Sequence, residues 1–256
     1  MKHHYRIGLT TLAALLTFAV SGADVREEFH QTYKLGGSGQ VSLDNVNGSV
    51  TITAWDRNEV KVDAVKRART QEHLDAVKID VKTGSGRIEI RTKYPENNKN
   101  NSTSVDYTLT VPEDSQLSRI NTVNGGVEIE RVRGDVEANS VNGQVTAKGL
   151  MGKTELSTVN GSVKAALNEV RRPVSLRSVN GSVSVSLPAN VNADISADAL
   201  NGGITCDFDI KATRNFPIGQ KLDGKLGSGG PLVKLSTVNG GVHIDRTKAV
   251  SAEEEK

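Results

Sequence analysis

Cysteine, aromatic residues and proline are all scarce in this chain, and each shortage removes a class of fold. Cys206 is the only cysteine among 256 residues, so no internal disulfide can staple the structure, and stability must come from packing and hydrogen bonding. Aromatic residues make up 4%, too few to build a core from Phe, Tyr and Trp. Six prolines stand against 25 glycines, a balance that fits many tight turns between short strands of small aliphatic residues. An excess of one charge is also missing, with 32 basic and 30 acidic side chains. The electrostatic footprint of a nucleic-acid binder is therefore absent. No phosphate loop, Gly-x-Ser-x-Gly elbow or His-Glu-x-x-His motif occurs. The length is still sufficient to bury a sizeable core.

One apolar run stands out, at the start. Lys2, His3, His4 and Arg6 form a basic head, Ile7 to Val20 is mainly apolar, and Ser21-Gly22-Ala23 supplies small residues. This pattern predicts a signal peptide over 1–23, cleaved after Ala23. A membrane-spanning helix needs about 20 apolar residues, more than are present. No cysteine sits at the cleavage site to carry a lipid. The expected location is the periplasm or the extracellular space, with membrane contact only through the export signal. Cleavage removes Lys2 and Arg6 and leaves 30 basic and 30 acidic residues, a net charge of zero.

What the chain has in abundance is one short phrase, repeated seven times. It is clearest as Thr158-Val159-Asn160-Gly161-Ser162-Val163 and Ser178-Val179-Asn180-Gly181-Ser182-Val183. Its asparagines are Asn47, Asn124, Asn142, Asn160, Asn180, Asn201 and Asn239, separated by 77, 18, 18, 20, 21 and 38 residues. Four residues before each stands an apolar side chain, as in Leu43, Ile120, Leu156 and Leu235, and the next residue is polar. Three residues after each stands Val50, Val127, Val145, Val163, Val183, Ile204 or Val242, opening a second alternation. The unit is thus strand, Asn-Gly corner, strand. A unit of about 19 residues is too short for a propeller blade and fits a solenoid coil.

The predicted fold is all-β, a parallel, right-handed β-solenoid whose coils bury small aliphatics in one column. Counting the long gaps as coils with a decayed phrase gives about eleven rungs, a rod on the order of 50 Å long. Residues 24–118 form a less regular β region, 119–247 the regular repeats, and 248–256 a charged, solvated tail. Strands are expected at Val60–Ala64, Val77–Val81, Arg87–Ile90 and Val105–Val111. Thr70 to Asp75 reads as one helical turn, and Tyr94–Ser104 and Asn215–Gly230 read as long loops.

The repeated Val-Asn-Gly-Ser/Gly-Val phrase, the export signal and the early Val50-Thr-Ile-Thr-Ala-Trp55-Asp56 resemble an exported bacterial β-strand-repeat family labelled "putative adhesin", of unknown function. The resemblance covers nearly the whole mature chain. It implies an extracytoplasmic β-solenoid and brings no catalytic residues with it.

The candidate sites follow from the repeat. The seven asparagines are expected to stack as a structural ladder that satisfies a buried corner. The residue before each, including Val123, Val141, Val159, Val179 and Val238, has outward parity and would form an apolar ridge suited to interaction or self-association. Alternatively the chain bends there and the valine fills the corner of the core. The second arrangement is preferred, since corners often break strand parity. Cys206 falls at an inward position and His243 at an outward one. His30 and His73 lack metal-ligand spacing. Asp194, Asp198, Asp207 and Asp209 are the nearest approach to a calcium cluster, without a calcium-loop pattern. No cofactor is expected. The function expected is a non-enzymatic, adhesin-like binding or envelope scaffold protein, its partner a surface, envelope or protein component. The alternative is a carbohydrate-active β-helix enzyme, a polysaccharide lyase or hydrolase.

Overall fold

The computed structural model describes residues 24–95, 102–214 and 218–247. The expected signal peptide at 1–23 and tail at 248–256 lie outside the described residues, as do 96–101 and 215–217 within the two expected loops.

Alternation dictates the elements. The first part of the chain contains β1 (Val25–Lys34), β2 (Gln40–Asp44), β3 (Val50–Trp55), β4 (Glu59–Ala68), α1 (Gln71–Ala76), β5 (Lys78–Gly84), β6 (Arg87–Lys93) and β7 (Ser104–Pro112). The repeats supply β8 (Gln116–Asn124), β9 (Val127–Glu130), β10 (Val136–Asn142), β11 (Val145–Lys148), β12 (Thr154–Asn160), β13 (Val163–Ala166), β14 (Val174–Asn180) and β15 (Val183–Leu187). The last part holds β16 (Ala193–Asn201), β17 (Ile204–Cys206), β18 (Thr213–Arg214), β19 (Gln220–Leu226), β20 (Leu232–Asn239) and β21 (Val242–Arg246). In β12, Thr154, Leu156 and Thr158 are buried while Glu155 and Val159 face out. After the corner, Val163 and Ala165 of β13 return to the core.

Two mixed sheets result, one of ten strands and one of eleven. Where repeats stack they do so in parallel and in register, Leu156 lying opposite both Ala138 and Leu176. Eight such two-strand rungs occur among the described residues, in the spatial order β6–β7, β2–β3, β8–β9, β10–β11, β12–β13, β14–β15, β20–β21, β16–β17. At both ends the pairing turns antiparallel, through β1, β4 and β5 at one end and β18 and β19 at the other. The uniform parallel solenoid of about eleven coils is thus corrected. The gap between Asn47 and Asn124 holds one parallel rung plus antiparallel strands and α1. The gap between Asn201 and Asn239 holds antiparallel β19, where a loop is expected, and the two-residue β18.

The chain order differs from the spatial order at both ends. β2–β3, the first rung made, lies between β6–β7 and β8–β9. β20–β21, the last, is inserted between β14–β15 and β16–β17. Neither terminal rung is an end of the stack.

The core is one continuous column of Val, Leu, Ile and Ala, with Tyr107 its largest fully buried side chain. Burying each Val or Leu contributes about 1.5–3 kcal/mol. The column is covered at the first end by α1, whose N-cap Thr70 accepts from the His73 amide at 3.2 Å and whose Leu74 is buried. Lys66, 4% exposed, donates to the carbonyls of Leu74 and Val77 at the helix end and pairs with Glu27 of β1 at 2.9 Å. Phe208, Leu222 and Leu226 are buried at the other end.

Two expectations follow. Leu235→Ala in the inserted β20 should cost about 2–5 kcal/mol, against about 0.5 kcal/mol or less for exposed Leu232→Ala. Amide exchange across β20 should be as slow as across β12; fast exchange of β20 would show that it frays as an end strand does. The second concerns β1. Hydrogen bonds of His30 to Asp63 at 2.7 Å and then to Glu28 at 3.2 Å raise the imidazole pKa above its ordinary 6.5. The contribution to stability is therefore full below about pH 6.5 and is lost as pH rises through the folded value. Exchange of β1 amides, corrected for intrinsic rates, should quicken over that rise, and His30→Gln should abolish the pH dependence.

Candidate interaction surface

The corner between the two sheets is where the repeated phrase sits, and its chemistry is layered. Two residues before each asparagine stands Thr122, Ser140, Thr158, Ser178 or Thr237, all buried. Each hydroxyl donates to the corner glycine carbonyl of the neighbouring rung. Thr122 reaches Gly48 at 3.0 Å, and Ser140, Thr158, Ser178 and Thr237 reach Gly125, Gly143, Gly161 and Gly181 at 2.8 Å. In the β2–β3 rung the buried Asn45 takes this place, its amide donating to the Val105 carbonyl at 2.9 Å. In the terminal β16–β17 rung Ala199 stands there, with no hydroxyl to donate. This column was missed by reading the phrase around its Asn-Gly. Its signal was present, as a Ser or Thr at inward parity in five of the seven copies.

The asparagines do form a ladder. Asn124 donates to Asn47, Asn142 to Asn124, Asn160 to Asn142, Asn180 to Asn160, Asn239 to Asn180 and Asn201 to Asn239, all at 2.7–2.9 Å. Asn47 ends it by donating to the Thr103 carbonyl at 3.4 Å. The run passes from Asn180 through Asn239 to Asn201, following the inserted rung. The expectation of a buried ladder is corrected, because six of the seven are exposed and Asn47 is half-buried. Water shares in satisfying these amides, so each contributes less than a buried one would.

Glycine follows the asparagine mainly for steric reasons. A Cβ on Gly143 would lie 2.0 Å from the Gly125 carbonyl oxygen, and one on Gly181 would lie 1.9 Å from that of Gly161. No corner asparagine has a positive φ. The main chains of successive corners also hydrogen-bond, Gly143 N–H donating to the Asn160 carbonyl at 3.0 Å.

The residue before each asparagine keeps strict parity and points outward. Val46, Val141, Val159, Val179, Val238 and Leu200 are 36–45% exposed, and Val123 is half-buried. The preference for a valine folded into the core is overturned. The buried hydroxyl already fills that corner, so no bend is needed. Seven consecutive rungs at about 4.8 Å spacing make a ridge about 29 Å long. It runs between two polar rows. On one side is the asparagine ladder. On the other, Asn121 donates to Asp44 at 2.9 Å, Asn139 to Asn121 at 3.2 Å, and Ser157 to Asn139.

The remaining candidates do not converge. Cys206 is half-buried on β17, and burial pushes its thiol up, away from nucleophile character. His243 faces out and shares a hydrogen bond with Thr205 at 2.8 Å. Asp207 accepts from the Arg246 amide, while Asp194 is held in the sheet beside Gly229. Among the described residues, no three His, Cys, Asp or Glu side chains are grouped to hold a metal ion. Nor is any helix there long and apolar enough to cross a membrane.

The two polar columns make different predictions. Thr158→Val keeps the packing but removes a buried donor, and should cost about 1–3 kcal/mol. Asn160→Ala acts at the surface and should cost about 0.5–1.5 kcal/mol. Chemical denaturation of both variants checks the order; a reversed order would make the outer ladder the dominant corner contact.

The chain is similar to several solved structures at low identity. A putative cell adhesion protein from Clostridium sporogenes is 13% identical, over 86% of this chain and 100% of its own, with a TM-score of 0.48. A putative adhesin from Bacteroides fragilis is 15% identical, over 86% and 97%, with a TM-score of 0.44. A third, a putative adhesin from Parabacteroides merdae, is 9% identical over 89% and 98%, at 0.33. No curated protein matches the chain. The family model described as Toastrack DUF4097 matches residues 27–245, from β1 into β21, and the chain belongs to that family, in keeping with the likeness carried by its Val-Asn-Gly phrase.

Proposed function

We propose that the protein is an exported, non-enzymatic binding or envelope scaffold protein of adhesin type, whose parallel rungs act as a solenoid that presents the valine ridge. The observation that carries this reading is the outward row of β-branched side chains. Five exposed valines and exposed Leu200, with half-buried Val123 among them, form in register a contiguous apolar strip of the kind that marks an interaction surface.

The occupant proposed for the ridge is a second copy of the chain. An identical ridge has the same spacing of about 4.8 Å, so two ridges related by a two-fold axis interdigitate along their whole length without losing register. A strip one residue wide buries less than the roughly 1,200–2,000 Å² of a stable interface, so the contact is weak and gains strength where many copies are held side by side.

Val159→Lys with Val179→Lys tests this. Both positions are exposed, so the double variant should fold with a melting temperature within a few degrees of the parent. Sedimentation of residues 24–256 should show concentration-dependent association in the parent and its loss in the variant. A parent that remains monomeric at high concentration, or association that survives the two lysines, would refute the ridge as a self-association surface.

A further inference from the structure

The eleven-stranded sheet carries a second feature on the same outer face, at the end away from the corner. Side chains of β6, β2 and β8 line a groove of about 290 Å³, walled by Gln40, Arg87, Glu89, Arg91, Ser118 and Arg119. Its chemistry is opposite to that of the ridge, being polar throughout and dominated by three guanidinium groups.

These arginines are held in place yet keep donors to spare. Arg87 Nε donates to Gln40 Oε1 at 3.0 Å and approaches Glu89 at 3.5 Å. Arg119 donates to Asp44 at 2.9 Å, and Arg91 lies 3.6 Å from the same carboxylate oxygen. A guanidinium has five N–H donors, and the three side chains are 47–58% exposed, so most donors face the groove and solvent. Three positive charges meet two carboxylates; on β5, Lys82 stands across from Glu89 and Asp80 across from Arg91, and Asp80 is paired with Lys93 at 2.7 Å, so the positive excess of this face remains. In a chain with 32 basic and 30 acidic side chains, this concentration of positive charge is local.

The backbone makes room for this arrangement. In the other stacked rungs a single outward residue separates the two inward ones before the corner, as Glu137 does between Val136 and Ala138. In β8 there are two, Ser118 and Arg119, between buried Leu117 and Ile120, and the register shifts there against both β2 and β10. This is a β-bulge, and it turns consecutive side chains into the groove. Both Ser118 and Arg119 line it.

We propose that this groove is a binding site for oxyanions, the carboxylate, sulfate or phosphate groups of an acidic glycan or of free anions, read by the forks of Arg87, Arg91 and Arg119. The site is independent of the ridge and does not require self-association. Calorimetric titration of residues 24–256 with oligogalacturonate, inorganic phosphate and neutral dextran tests it and separates the sources. Oligogalacturonate or phosphate, but not dextran, should bind, more weakly as salt rises. Arg87→Ala, Arg91→Ala and Arg119→Ala combined should weaken binding by at least about tenfold. Deleting Ser118 should do the same by regularising β8, while Arg171→Ala with Arg172→Ala, which removes charge elsewhere, should not. Absence of binding by both anions, equal binding of dextran, or binding unchanged in the triple variant would overturn the proposal. The Val159→Lys and Val179→Lys pair should leave it intact.

Discussion

The contact of one corner with the next is the constraint on which the rest of this molecule depends. Parallel strands set the rungs about 4.8 Å apart, and at the corner that spacing brings main chain onto main chain. Each corner carbonyl then lies where the next residue's Cβ would be, about 2 Å away at Gly143 and Gly181, so only glycine is admitted. The same carbonyl points into the fold and is met by the Ser or Thr of the adjoining rung. A buried carbonyl left without a donor would cost about 1–3 kcal/mol, and the repeat removes that cost in the five rungs that carry the hydroxyl. The hydroxyl takes the inward position, so the next side chain must face out; the alternation then breaks at the corner, and the asparagine lies on the surface. The exposed valine is thus a geometric consequence of how the corner is satisfied. Its β-branched identity is not, since a polar residue would fit the same place.

Much of this was legible in the repeat. Period-2 alternation on either side of the Asn-Gly marks the strands, because burial on one face of a sheet leaves no other pattern available. The turn of helix after Thr70 could be read from its polar run; the capping role of Thr70 comes from the structure. Harder to see was the burial of Thr158 and its counterparts. Hydroxyl side chains read as polar, and their inward parity has meaning only when the neighbouring rung supplies an acceptor. The groove was hidden for another reason. Its signal is a spacing of three rather than two between Leu117 and Ile120, and its arginines come from β6 and β8, which only the register of the sheet brings together.

The ends were illegible because sequence order carries no statement of which rung a strand will join. Asn239 lies 38 residues after Asn201 and beside it in space, yet its other neighbour is Asn180, 59 residues away. A chain stacked in order would pair Asn201 with Asn180. Here the β16–β17 rung is left one place further out, the other edge of β16 taken by β19, and the gap is closed by the last rung to be synthesised. The first rung is enclosed in the same way once β6–β7 is in place. Long-range closure of this kind slows folding relative to a stack that grows from its neighbours. It also places the first and last rungs, β2–β3 and β20–β21, inside the stack, so that freeing either one breaks pairing on both of its sides.

The treatment of the edges decides which way the molecule can associate. A stack of parallel strands invites addition of another strand at either end. Here the ten-stranded sheet ends in β1, whose outward row carries Arg26, Glu28, His30 and Lys34, and in β17, only three residues long. The eleven-stranded sheet ends in β5, with Lys78 and Lys82 exposed, and in β18, of two residues. Charge and brevity are the two devices that discourage edge pairing, and both are used. Growth along the stack is therefore discouraged while the valine ridge, which runs across the strands rather than along an edge, stays open. The association proposed through it would be lateral and use side chains only, leaving every backbone hydrogen bond of the stack undisturbed. The arginine groove shares that outer face but lies about four residues up β2 from Val46, roughly 13 Å away. A copy seated on the ridge and an anion held in the groove would then occupy neighbouring ground, with the row from Asp44 to Ser157 as the boundary between them.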